Sequence, residues 1–113
     1  MSAETQWEVP AITAGTPQTR DFSDLAFSEG ARSSYRTEIK VDNSRGSSQL
    51  TVRLNGMRTF KVAAGAVSTL DPGRPVYFYT VDAAANTALG DVIVYENGGL
   101  NDENDNRPTS FDR

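Results

Sequence analysis

Cysteine and histidine are both absent from the 113 residues. Their absence excludes a Cys–His nucleophile, a Ser–His–Asp relay, a Cys/His zinc centre and haem ligation by those side chains. It also excludes a disulfide framework, so the chain does not need an oxidising compartment to mature. Carboxylate, Ser–Lys and tyrosine chemistry remain. The available carboxylates, Asp71, Asp82, Asp91 and Glu96, lie in or beside predicted turns or on charged faces. Solvated Asp and Glu are the rule at such places, and a chain this short has little room for a cleft that raises an acid's pKa. No catalytic, cofactor-binding or metal-ligating residue is assigned, and the expectation is a protein that is not an enzyme.

Basic stripes and long apolar runs are also missing. The net charge is −4. Residues 1–34 hold two cationic and five anionic side chains, residues 35–100 seven and six, and residues 101–113 two and four. A nucleic-acid binder needs a basic stripe to neutralise phosphates; a nearly neutral body with acidic ends predicts no nucleic-acid partner and no anionic membrane. The start, Met1-Ser2-Ala3-Glu4-Thr5, has neither the basic nor the apolar region of a signal peptide. No apolar run reaches the length of a membrane span. A soluble protein is expected.

What is present is concentrated. Hydrophobic residues make up 37% of the chain and cluster between residues 35 and 95. The reading divides the chain into an extended arm with a short lead-in turn (1–34), an antiparallel β domain (35–96) and an acidic flexible tail (97–113). A core of about 60–80 residues buries only about 60% of its unfolded surface, which favours help from an oligomer or a partner.

In the body, Tyr35, Thr37, Ile39 and Val41 alternate with Arg36, Glu38, Lys40 and Asp42. That period of two marks a half-buried strand. Leu50, Val52 and Leu54 repeat it. Asn55-Gly56 marks a hairpin. A three-residue loop of Leu54, Asn55 and Gly56, pairing Val52 with Arg58 and Leu50 with Phe60, keeps even-numbered residues on one face. Ala66–Leu70, Val76–Val81 and Leu89–Tyr95 read as further strands, with Asp71-Pro72-Gly73-Arg74-Pro75 as a turn. Six strands without a long helix or a repeat predict an all-β fold, an antiparallel sandwich or a jelly-roll-like small barrel.

Four features carry alternatives. In the arm, Trp7, Val9 and Ile12 are either part of a polar tail or an anchor for a neighbouring subunit. Phe22, Leu25 and Ala26 fit one face of a helical turn that Gly30 would stop, or belong to a first strand. Tyr77, Tyr79 and Val81 share one strand face, which is ordinary strand material, a subunit interface, or (for the two tyrosines) a stacking platform for a sugar. Asp102, Asn104 and Asn106 open like a calcium loop, but Arg107 and Arg113 stand where glycine and glutamate are needed, leaving a solvated tail. No phosphate-cradling glycine motif occurs.

Over Gln49–Tyr95 the segments "LTVRLNG", "FKVAAGAVSTL", "DPGRP", "VYFYTV" and "GDVIVYE" resemble small bacteriophage structural proteins. The resemblance implies a β-sandwich or jelly roll that decorates or cements a capsid, or sits in a tail, neck or fibre. It implies the major capsid protein or other virion subunits as partners, and a homo-oligomer with a trimer favoured. It also implies synthesis in the host cytoplasm and a final place on the capsid surface. Trp7, Val9 and Ile12 would then be the docking arm, and Tyr77, Tyr79 and Val81 the interface face. A carbohydrate-binding module using Tyr77 and Tyr79 is the alternative.

Overall fold

The computed structural model describes residues 4–22 and 35–97. Six strands overlap those the sequence predicts: β3 (Glu38–Asp42), β4 (Leu50–Leu54), β5 (Arg58–Val62), β6 (Val67–Leu70), β7 (Phe78–Ala83) and β8 (Ile93–Asn97), with β7 starting two residues after Val76 and β8 four after Leu89. Ile39 and Val41 of β3 and Leu50, Val52 and Leu54 of β4 are buried. Two more strands, β1 (Glu4–Glu8) and β2 (Gln18–Asp21), come from the stretch expected to be an arm.

The pairing is a nest. β4 pairs with β5, β3 with β6, β2 with β7 and β1 with β8, all antiparallel. The chain is therefore one long ribbon bent double at its hairpin. Rolling that ribbon brings β3 beside β8 and β4 beside β7. Two four-stranded sheets result, ordered β1-β8-β3-β6 and β2-β7-β4-β5. This is the jelly-roll arrangement of an antiparallel sandwich.

The arm is corrected to a part of the fold. Thr5, Trp7 and Val9 alternate inward against Gln6 and Glu8, and β1 completes the sheet edge beside β8. Val9 and Ile12 are buried in the common core, and Trp7 packs against it. The connection 9–17 is sewn to 82–92: Val9 N donates to Val92 O at 3.0 Å, Thr87 N to Ile12 O at 2.9 Å and Gly15 N to Asp82 Oδ1 at 3.1 Å. A three-position alternation is too short to stand out in sequence, and its partner strand lies about ninety residues away.

The hairpin keeps the expected parity with a different register. Leu54 pairs with Arg58, Val52 with Phe60 and Leu50 with Val62, so the loop is Asn55, Gly56 and Met57. Asn55 and Gly56 both take positive φ (55° and 71°), and Met57 N donates to Leu54 O at 3.0 Å. That turn matches the twist of the strands. Met57 is the extra residue.

Two charged residues face the opposite way from expectation. The strand pattern bends at Thr37, so Arg36 turns inward, is buried, and bridges to Val76. Glu96 is wholly buried as well. Phe22 belongs to the core; Leu25, Ala26 and Gly30, and the stretch 98–113 with Asp102, Asn104 and Asn106, lie outside the described residues.

Candidate partner-binding surface

The expected site residues divide by burial. Val9, Ile12, Tyr79 and Val81 are core residues, and Trp7 is half-buried edge-on to Tyr79 at 5.7 Å. None of the five can present a docking face. Of the expected interface only Tyr77 stands at the surface, 55% exposed. The two tyrosines proposed to hold a sugar are thereby separated: β7 begins at Phe78, and Tyr79 points between the sheets while Tyr77 lies outside the strand.

What surrounds Tyr79 is a polar knot across the sandwich. Thr5 and Glu96 are cross-strand partners in one sheet, and Arg20 and Tyr79 are partners in the other. Their side chains converge on the Glu96 carboxylate. Arg20 donates through Nε at 2.9 Å and Nη2 at 3.0 Å, Thr5 Oγ1 donates at 2.6 Å, and the Tyr79 hydroxyl donates as well. Arg20 lies over the rings of Trp7 and Phe22, at 5.6 and 5.9 Å. Burial pushes the Tyr79 hydroxyl far above its ordinary pKa, and the Glu96 charge and hydrogen bond push the same way. Tyr79 therefore stays a donor. With four donors on Glu96 and both Glu96 and Tyr79 out of solvent, no reactant meets this carboxylate; it clamps the two sheets.

Among the described residues, one exposed surface lies at the pole where the hairpin turns. β4 ends here, β7 begins here, and the Arg36–Val76 bridge joins the second sheet at the same level. Glu4 and Asn97, at the outer ends of β1 and β8, are register partners at this pole too. Tyr35 and Tyr77 pack at 6.1 Å between centroids. Met57, at the hairpin tip, is 68% exposed.

Asn55 makes the pole rigid. Its Nδ2 donates to Pro75 O at 2.9 Å, its Oδ1 accepts from Tyr77 N at 2.8 Å, and its own N donates to Phe78 O at 2.9 Å. Arg58 Nη1 adds a bond to Pro72 O at 2.9 Å, with its guanidinium over the Phe60 ring at 5.1 Å. Hairpin 54–58 and loop 71–77 are thus one body. Between them is a notch of about 50 Å³ lined by Leu54, Asn55, Met57, Arg58, Pro72 and Arg74.

A second surface feature lies on the outer face of the β1-β8-β3-β6 sheet. Tyr95 stands in a cross-strand row with Gln6 on one side and Lys40 on the other. It lines a depression of about 270 Å³ with Lys40, Asp42, Val67 and Asn97. Lys40 Nζ lies 5.8 Å from the Tyr95 ring centre. Two hydrogen bonds from Ser44, side chain and backbone, hold the Asp42 carboxyl below its usual pKa, so it is an ionised acceptor.

Sequence reasoning missed the notch. Asn-Gly located the hairpin, but only the register exposes Met57, and only the fold brings residue 58 beside residue 72. No protein-family model, curated protein or solved structure matches this chain.

Proposed function

We propose that this chain is a virion structural protein, a capsid decoration or cement protein that docks on the outer shell through its hairpin pole. The observation that carries the reading is the rigid, partly apolar pole itself, where Met57 and Tyr77 stand exposed on a framework of four hydrogen bonds. Single exposed apolar residues are common on any protein surface; what supports the reading is that these two stand beside a notch held by hydrogen bonds. The jelly roll supports it, since this architecture recurs in viral capsid and lectin domains, as does the resemblance over Gln49–Tyr95. Fold alone does not fix function, so the weight rests on the surface. The partner is the major capsid protein or another virion subunit, and the protein assembles as a homo-oligomer, a trimer by preference. It is made in the host cytoplasm and ends on the capsid surface. The docking element is the pole, and the N-terminal segment contributes as core.

The test is to purify particles from cells that carry the gene and to ask whether the chain co-sediments with them. Recovery in the particle fraction, reduced by Met57→Ser together with Tyr77→Ser, is expected. A chain that stays in the soluble fraction overturns the reading.

The Tyr95 depression favours one other reading, a carbohydrate-binding module re-centred from the Tyr77–Tyr79 pair. An aromatic plate flanked by Lys40, Asp42 and Asn97 can stack on a pyranose and meet its hydroxyls. Glycan-array binding lost in Tyr95→Ala supports that reading, and an array without signal removes it.

A further inference from the structure

We infer that the notch between the hairpin and loop 71–77 takes an acidic peptide segment that carries one apolar side chain. The inference rests on the reading of this pole as the docking surface and names the chemistry of what docks.

The floor is apolar. Leu54 and Pro72 are buried beneath it, and Met57 forms an exposed wall. Its volume, about 50 Å³, is several times the ~10–15 Å³ that one water needs, which suits the end of a single aliphatic side chain. Methionine is the side chain that adapts best to such an end.

The rim is cationic. Arg58 and Arg74 both line the notch, and among the described residues neither has an ion-pair partner. Arg58 is held in place by its bond to Pro72 O and by the Phe60 ring, leaving its remaining N–H groups to donate outward. Asp71, the carboxylate of the same turn, accepts from Gly73 N at 3.2 Å. A planar guanidinium meets a carboxylate through two parallel hydrogen bonds, so a pair of them flanking an apolar floor selects acid, apolar, acid. Two cations are too few for a nucleic-acid backbone on a chain of net charge −4. An uncharged apolar ligand would leave both guanidinium groups without a counter-charge.

The test uses the full-length, isotope-labelled chain and three blocked pentapeptides: leucine between two Asp-Glu pairs, the same with serine for leucine, and leucine between two pairs of lysines. Titrations are followed by amide shifts at about 50 and about 300 mM salt, either side of strong screening. The acidic leucine peptide is expected to give saturable shifts at Leu54, Met57, Arg58 and Arg74, with an affinity on the order of 1 mM or better. Serine in place of leucine, the higher salt, and Arg58→Glu with Arg74→Glu are each expected to weaken it about tenfold or more. Arg74→Glu alone, at a side chain without a hydrogen bond among the described residues, guards against misfolding of the double variant. An equal response to the lysine peptide, unchanged binding in the Arg74→Glu variant, or no saturable shift at millimolar peptide overturns the inference. If the acidic peptide binds only after Asp102→Asn, Glu103→Gln and Asp105→Asn, the chain's own acidic stretch is the occupant and the partner assignment falls. Particle co-sedimentation separates the two readings. A double variant that still co-sediments sinks the peptide chemistry alone, whereas a wild-type chain that never co-sediments sinks the docking reading.

Discussion

Arg20 and Glu96 lie 76 residues apart, belong to opposite sheets, and are joined by two parallel hydrogen bonds of 2.9 and 3.0 Å. The Arg20 side chain is 17% exposed and the Glu96 side chain fully enclosed. Removing one partner of such a pair leaves a charge in a place built for two, which costs about 3–5 kcal/mol when both are buried. Glu96→Leu is expected to destabilise by about 3 kcal/mol, and adding Arg20→Leu to recover part of that loss. Urea unfolding of both variants, with m held constant, checks the sign of the coupling.

The same knot sets an alkaline limit. The folded pKa of Tyr79 is raised above its unfolded value by burial and by Glu96. Its contribution is fully present below the unfolded tyrosine pKa of about 10 and declines as pH rises beyond it, because only the unfolded chain then releases the proton. Stability is expected to fall by up to about 1.4 kcal/mol per pH unit there, with a shallower slope in Tyr79→Phe. Chemical denaturation at a series of alkaline pH values measures both slopes.

Deleting residues 1–20 is expected to abolish cooperative unfolding. The cut removes β1, nearly all of β2 and the core residues Val9 and Ile12. A free arm would leave the β circular-dichroism signal intact. Ile12→Ala alone is expected to cost about 2–5 kcal/mol by opening a cavity, read from the thermal midpoint.

Gly46→Ala tests a crowded corner. Asn43 is buried, with Nδ2 donating to Ser48 O at 2.9 Å and Ala63 O at 3.0 Å. A Cβ on Gly46 would overlap Asn43 Oδ1. The variant is expected to lose about 1–3 kcal/mol as that side chain is forced from its bonds. A melting temperature equal to wild type would show that the corner yields freely.

Local pattern and non-local pairing divide what the sequence reveals. Ile39 with Val41, and Leu50 with Val52 and Leu54, state their own strands because each alternates within its own segment. The hairpin register turns on whether Met57 belongs to the loop, and both answers keep even-numbered residues together, so parity could not choose. Pairing of Leu50 with Val62 on one side and Ala83 on the other decides it. Charge misleads at Arg36 and Glu96, since a charged residue reads as solvated by default. What brings Glu96 inward is Arg20, Thr5 and Tyr79, three residues on three other strands that together donate four hydrogen bonds. The arm fails as a reading for a related reason. Trp7 and Val9 find their backbone partners in Val94 and Val92, more than eighty residues away.

Because the ribbon is bent double, Glu4 sits opposite Asn97 at the pole that carries Met57 and Tyr77. At the other pole, the exposed Ala84 and Ala85 offer the place to graft a display epitope. Trimmed to residues 4–97, the chain becomes a candidate for circular permutation, with a short linker across the paired residues Glu4 and Asn97 and new termini opened at the exposed Ala84–Ala85.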